Sequence, residues 1–290
     1  MEIQMADTIV MNIGIGKNKM ENKKTIERNP MNYFEKDAIS ATLLKAIIKQ
    51  SPVHAEERMK NFKATPTMKL GTAFHAKVLE STEYDDLIAV SPDCDKRTKA
   101  GKEIHAKFLE TVGDKTVITQ EQSLLVDRMS EACMAHPQVQ ALVEKCHETE
   151  IEIDFEFDSM DCKAKIDMAD EEGTIVDFKT CQDASPEAFM RASANFSYHL
   201  QLAWYARAMG LKWNEVNAYI VAVENTAPHG VAVYKFSKNA MLNGWELCKV
   251  GVGMWKEHKM NLAIGDGTFP YTDEVLELEL PVWATNMNEG

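Results

Sequence analysis

The spacing of apolar positions changes once along the chain, and the change divides it into two parts. From Ser40 onward, Leu43, Leu44, Ile47 and Ile48 recur at the spacing of one helix face, behind a residue suited to capping it. The same reading predicts a helix over residues 67–80, carrying Gly71-Thr-Ala-Phe-His75. A basic helix is expected over residues 95–109, where Lys96, Arg97, Lys99, Lys102 and Lys107 crowd together. Two more fill residues 120–145 and break near Pro137, whose ring cannot continue a helix interior.

The period then falls to two. In residues 150–157, Ile151, Ile153, Phe155 and Phe157 alternate with Glu150, Glu152, Asp154 and Glu156, the pattern of a half-buried strand. A strand over residues 162–168 sends Cys162, Ala164 and Ile166 to one face and Lys163, Lys165 and Asp167 to the other. A third, over residues 174–180, carries Asp177 and Lys179 on a shared face. Tight turns make these three an antiparallel meander. Helices over residues 186–194 and 198–209, strands over 216–223 and 230–236, and a helix over 238–259 complete the pattern. The order predicts an α/β fold, a mixed central sheet flanked by helices. Residues 274–284 alternate Leu276, Leu278 and Leu280 with Glu277 and Glu279, which fits either an edge strand or a segment laid along the surface. Residues 1–30 form an arm whose order the pattern does not set, and residues 31–290 read as one domain, with a helical part at about 39–145 and a core at about 148–260.

Composition narrows the class. A chain of 290 residues with 45% hydrophobic content can bury a full core. No apolar run approaches the roughly 18 residues that cross a bilayer, so no membrane partner is expected and the chain reads as soluble and intracellular. The six cysteines, Cys94, Cys133, Cys146, Cys162, Cys181 and Cys248, contain no close ligand pair, which argues for reduced thiols in a cytoplasm and against a structural zinc or an iron–sulfur cluster. A net charge of −13 argues against whole-surface binding of nucleic acid, but it leaves room for a local site with a carboxylate-held metal or a lysine-lined groove.

Candidate chemistry sits on the meander. Asp167 and Asp177 fall near the ends of neighbouring strands, with Lys179 two residues further on the same face, so two carboxylates and an ammonium come within reach of one point. Hard oxygen donors suit magnesium, and phosphodiester hydrolysis needs such a metal beside a lysine. On spacing alone, a cross-strand salt bridge on a solvated face is the better reading, because Asp-x-Lys is a short and common pattern.

The string Ile166-Asp167, nine intervening residues, Asp177-Phe-Lys179 and then Gln201-Leu-Ala-Trp-Tyr205 resembles the PD-(D/E)-x-K nuclease superfamily. Within it the chain resembles the exonuclease VIII group, the RecE-like phage and prophage recombination nucleases. The resemblance runs over about residues 32–284 and includes Arg97-Thr-Lys-Ala-Gly-Lys102, Tyr198-His-Leu-Gln201 and Leu280-Pro-Val-Trp-Ala284. It implies a restriction-endonuclease-like core. His75 then joins the metal shell, Asp167 and Asp177 are the metal-binding acids, the Phe178 carbonyl is a further ligand, and Lys179 is the catalytic lysine. Glu150 matches a position that completes a second metal site, although the acidic stripe of its strand would mimic one. Gln201 and Tyr205, four apart on a helix face, border the active site and contact DNA.

Two positions depart from the pattern: Ile166 stands where proline usually precedes the first acid, and Ser197 where relatives often carry arginine. With serine there, one phosphate contact is either missing or supplied elsewhere, by Arg191 or Lys163; Lys165 and the basic helix, with Lys96, Arg97, Lys99 and Lys102, are further candidates for DNA contact. An ordinary solvated face explains the basic helix as well. The resemblance implies a Mg2+-dependent exodeoxyribonuclease, with Mn2+ as substitute, that degrades linear double-stranded DNA from 5′ to 3′. It also implies a ring-shaped homo-oligomer, a RecT-like single-strand annealing partner and a bacterial host cytoplasm. The competing reading is a catalytically silent DNA-end-binding accessory protein.

Overall fold

The computed structural model describes residues 33–265, 269–272 and 274–281. Its helices start where local chemistry satisfies their free N–H groups. Ser40 accepts from the Leu43 N–H to open α1 (Ala41–Lys49), and Ser51 and Thr65, each followed by proline, open α2 (Pro52–Lys60) and α3 (Pro66–Leu79). After a short α4 (Tyr84–Leu87) and β1 (Ile88–Val90) come α5 (Lys99–Thr111) and β2 (Thr116–Ile118), which pairs in parallel with β1. Thr119 and Gln122 form a capping box for α6 (Gln120–Ala135), and Pro137 starts α7 (Pro137–Lys145).

The central sheet has the order β3 (Glu148–Phe157), β4 (Met160–Ala169), β5 (Thr174–Cys181), β6 (Asn217–Glu224) and β7 (Val231–Lys235). All its neighbours are antiparallel except β5 and β6, which run parallel. A parallel pair needs a crossover, and α8 (Pro186–Asn195) and α9 (Tyr198–Ala208) provide it. They lie on one face of the sheet with α1, α2 and α10 (Lys238–Ala263), around Leu44, Ile47, Phe189, Trp204 and Val252. The other face carries α3, α6 and α7 around Phe74, Val126, Met129 and Val139. Strand β6 serves both, sending Ile220 and Ala222 to the first core and Val221 and Val223 to the second. This is the α/β architecture of a restriction-endonuclease-like core, a largely antiparallel mixed sheet flanked by helices.

Some elements differ from the sequence expectation. Helix α5 starts at Lys99 because Thr98 accepts from the Gly101 N–H, while Asp95 takes the Arg97 guanidinium in the preceding turn. Lys96 and Arg97 therefore lie ahead of the basic helix. The alternation over residues 274–281 adds no edge strand, and Leu276, Leu278 and Leu280 are exposed. The arm at residues 1–30 and the Val282, Trp283 and Ala284 end of the tail motif lie outside the described residues. Among the described residues no helix is long and apolar enough to cross a membrane.

Helices α9 and α10 approach so closely that a Cβ on Gly244 would stand 2.1 Å from the His199 carbonyl oxygen, whereas one on Gly253 of the same helix would meet nothing within 4 Å. Gly244→Ala should therefore lower stability by about 1–3 kcal/mol through overpacking. Gly253→Ala should raise it by roughly 0.5–1 kcal/mol through helix propensity. Denaturant unfolding of the two variants checks the contrast.

Candidate active site

The site forms where β4 and β5 part. Their pairing covers Met168 with Val176 and Ala169 with Ile175, and then the strands separate. The Phe178 N–H faces the gap, and Asp167 Oδ2 accepts it at 2.7 Å. This bond carries the Asp167 side chain into the fork, where it is buried.

Three further groups face it. His75 comes from α3, with Nδ1 at 3.5 Å from Asp167 Oδ2 and Nε2 at 2.9 Å from the Phe178 carbonyl oxygen. That carbonyl also accepts from Lys179 Nζ at 3.3 Å. Glu150 comes from β3. Its φ of 51° lies in the left-handed region, unusual for a residue other than glycine, and Glu150 is half-buried while Glu152, Asp154 and Glu156 of the same strand are exposed. One donor atom each from His75, Glu150 and Asp167 lie within 4.8 Å of one another.

Asp177 belongs to a second group. Its Oδ2 is in ion-pair contact with Lys179 Nζ, and its Oδ1 accepts from Gln201 Nε2 at 2.8 Å. Gln201 Nε2 also stands 2.6 Å from the Tyr205 hydroxyl, and Gln201 Oε1 accepts from Lys45 Nζ at 2.7 Å. The sequence expectation puts Asp167, Asp177 and Lys179 around one point. Asp167 stands beside His75 and Glu150, and Asp177 beside Lys179 and Gln201, while the Asp177 and Lys179 charges both act on Asp167. The Phe178 peptide joins the two groups.

Burial, with the Asp177 charge adding to it, pushes the Asp167 carboxyl up to about 6, against the opposing pull of His75 and Lys179. Lys179 remains firmly protonated: burial opposes its charge, but the Asp177 and Asp167 carboxylates raise its pKa above the ordinary lysine value. Burial and the neighbouring Lys179 lower Lys45 to about 8. Tyr205 is raised, chiefly by burial, so it stays a neutral phenol.

An imidazole and two carboxylates converging on a partly buried point fit a divalent cation. Neutralising clustered acids is what such an ion does best, and the set is too oxygen-rich to favour soft metals. The cluster is thus capable of coordinating a divalent metal ion.

The residues expected to touch DNA are scattered. Lys163 is buried and its ammonium donates to the Tyr33 and Lys36 carbonyls at 2.8 and 2.7 Å, tying the chain ahead of α1 to β4. Its donors are directed inward, which corrects the expectation of a phosphate contact. Lys165 pairs with Glu150 at 2.7 Å and approaches Glu152 at 3.9 Å. Arg191 pairs with Glu187 on an exposed helix face. Lys96, Arg97, Lys99 and Lys102 are exposed, and Lys99 and Lys102 have no carboxylate within ion-pair distance among the described residues. Gln201 and Tyr205 are buried behind Asp177, where they support it. Sequence reasoning misses Lys45, whose one signal is a lone lysine between the buried Leu44 and Ile47 of α1.

Two acids on neighbouring strands, a lysine two residues after the second and a histidine–glutamate–aspartate group beside them define a PD-(D/E)XK-like nuclease-superfamily fold. The chain belongs to the family described as "PDDEXK-like domain of unknown function (DUF3799)", whose model matches residues 40–259. A crystal structure from Eubacterium rectale, described as a "Putative exonuclease", shares this fold with a TM-score of 0.55 at 11% identity, over 87% of this chain and 94% of that one. A second solved structure, SSO0001, aligns over 77% of this chain and 89% of its own at 12% identity, but its TM-score of 0.27 carries no weight. No curated protein matches the chain.

The raised Asp167 pKa has a thermodynamic sign. A carboxyl that holds its proton more tightly folded than unfolded subtracts stability as pH rises from about 4 to above 6. Asp167→Asn can keep an oxygen for the Phe178 N–H while removing the buried charge. It should stabilise the chelator-treated protein at pH 7 by about 1–3 kcal/mol in urea unfolding. Added Mg2+ or Mn2+ should raise the melting temperature of the wild type and leave the variant unmoved.

Proposed function

We propose that the chain is a magnesium-dependent exodeoxyribonuclease of the RecE-like group, which degrades linear duplex DNA from its 5′ ends and leaves 3′ single-stranded tails. One observation carries the reading: the Lys179–Asp177 ion pair abuts the His75–Glu150–Asp167 donor group across the Phe178 peptide. Phosphodiester hydrolysis draws on both halves. A divalent cation, Mg2+ or Mn2+, would be held by His75, Glu150 and Asp167, and would supply neutralisation of phosphate charge and a water of lowered pKa. Lys179 can then orient a water or offset charge that develops on the phosphate. Asp177 holds the ammonium in position, and Gln201 holds Asp177.

The shared fold of the Eubacterium rectale protein, itself described as a "Putative exonuclease", supports this choice among phosphodiester chemistries. With a net charge of −13, affinity for DNA has to come from local contacts, and Lys99 and Lys102 on α5 are candidates. A ring-shaped homo-oligomer, a RecT-like annealing partner and action in a bacterial cytoplasm belong to the same proposal and rest on the sequence resemblance.

The test is digestion of linear duplex DNA labelled at either end of one strand, with Mg2+. Label at a 5′ end should become acid-soluble first, and Asp177→Ala and Lys179→Ala should each lower the rate by at least about 100-fold. DNA that is bound and left intact, or unchanged rates in both variants, would reject the proposal.

A further inference from the structure

We infer that Lys45 of α1 is a positioning residue for the active site, fixing the orientation of the Gln201 side-chain amide so that its N–H groups serve Asp177 and Tyr205. The inference rests on the nuclease reading of the site. A glutamine amide can present its oxygen or its nitrogen to a given neighbour, and the neighbours decide which. Two of the three contacts at Gln201 are unambiguous. A lysine ammonium can only donate, so the atom 2.7 Å from Lys45 Nζ is the oxygen. An ionised carboxylate can only accept, so the atom 2.8 Å from Asp177 Oδ1 is the nitrogen. The Tyr205 hydroxyl, 2.6 Å from the same nitrogen, takes the remaining N–H.

Lys45 thus sits at the head of a directional chain that runs through Gln201 to Asp177 and from there to Lys179. Asp177 and Tyr205 hold the nitrogen end; without the ammonium, Oε1 loses its hydrogen-bond donor and the amide is free to tilt about its nitrogen. Tilting bends the N–H bond to Asp177, and a hydrogen bond weakens steeply as its angle departs from linear.

The position of Lys45 argues against a purely structural role. It is half-buried between the apolar Leu44 and Ile47 and lies 6.0 Å from the centre of the Tyr198 ring, over which Lys179 also stands at 5.5 Å. Burial and the proximity of Lys179 pull its pKa down to about 8, so the fold keeps a second ammonium next to the first at a cost that an apolar side chain would avoid. No carboxylate lies within ion-pair distance of Lys45 among the described residues, and Gln201 is its hydrogen-bond partner.

Kinetics and a spectroscopic readout together test this. Lys45→Met should lower kcat by about 10- to 100-fold with KM within about 2-fold, because a misplaced group costs turnover more than binding. Lys45→Arg should recover most of the activity. In a Gln201→Ala background, adding Lys45→Met should change kcat by no more than about 2-fold, since a residue that acts through Gln201 has nothing further to act on. Full additivity would overturn the proposal. So would a raised KM with the salt dependence of DNA binding reduced by about one ion, the mark of a direct phosphate contact.

The side-chain amide resonances of Gln201 in the metal-free full-length protein give an answer that needs no turnover. Hydrogen-bonded, slowly exchanging N–H signals are expected in the wild type and should shift and exchange faster in Lys45→Met, or in Lys45→Ala if the first variant does not fold. Free-amide signals in the wild type, or signals unmoved by removing Lys45, would overturn the proposal. If the wild type leaves DNA intact, the nuclease reading falls while the amide signals still decide what Lys45 does.

Discussion

Where β4 and β5 separate, the carboxylate of Asp167 takes the Phe178 N–H that a strand partner would otherwise have taken. A buried N–H has to find an acceptor, so the fork in the sheet and the placement of the acid are one event. The bond also sets the orientation of the next peptide. With its N–H committed to Asp167, Phe178 turns its carbonyl oxygen to His75 and Lys179, and groups from three separate elements meet at the two backbone groups of one residue. The Phe178 ring, fully buried in the second core, keeps that residue from swinging.

The sheet topology then determines what covers the fork. Because β5 and β6 run parallel, the chain must cross over between them, and α8 and α9 do so on the face that Asp177 shares with the first core. Gln201 and Tyr205, one turn apart on α9, are thereby brought down onto Asp177. Helix α3 on the opposite face brings His75 to the same edge. Each side of the sheet supplies a different chemistry: amide and ammonium support from one, an imidazole from the other. The burial that raises the Asp167 pKa follows from being enclosed by both.

Much of this is legible in the sequence because it is local. The period-two alternation locates the three meander strands, and the short motif Asp177-Phe-Lys179 with Asp167 upstream marks the fork. Features that depend on distant partners are not legible. Lys163 reads as a surface cation because the carbonyls that hold it, at Tyr33 and Lys36, lie more than a hundred residues away. The role of Lys45 depends equally on a partner in α9. Helix α2 carries a readable Ser51-Pro52 start but no strong apolar stripe, and β1 and β2, three residues each, are too short for any period to register. Arg97 falls outside α5 and Lys99 inside it because Thr98 captures the helix start, which the spacing of charges does not reveal.

Glu150 has a consequence for how the family can drift. Its left-handed backbone, near the start of β3, is a conformation that glycine or asparagine would hold with less penalty. The carboxylate in the donor group is the reason to tolerate it. Backbone conformation alone would favour replacement at this one codon, but the change would also take from Lys165 the carboxylate it pairs with at 2.7 Å. A lineage that keeps glutamate here is therefore being held by what the side chain does, so the identity of residue 150 records, homologue by homologue, whether that pressure is still acting.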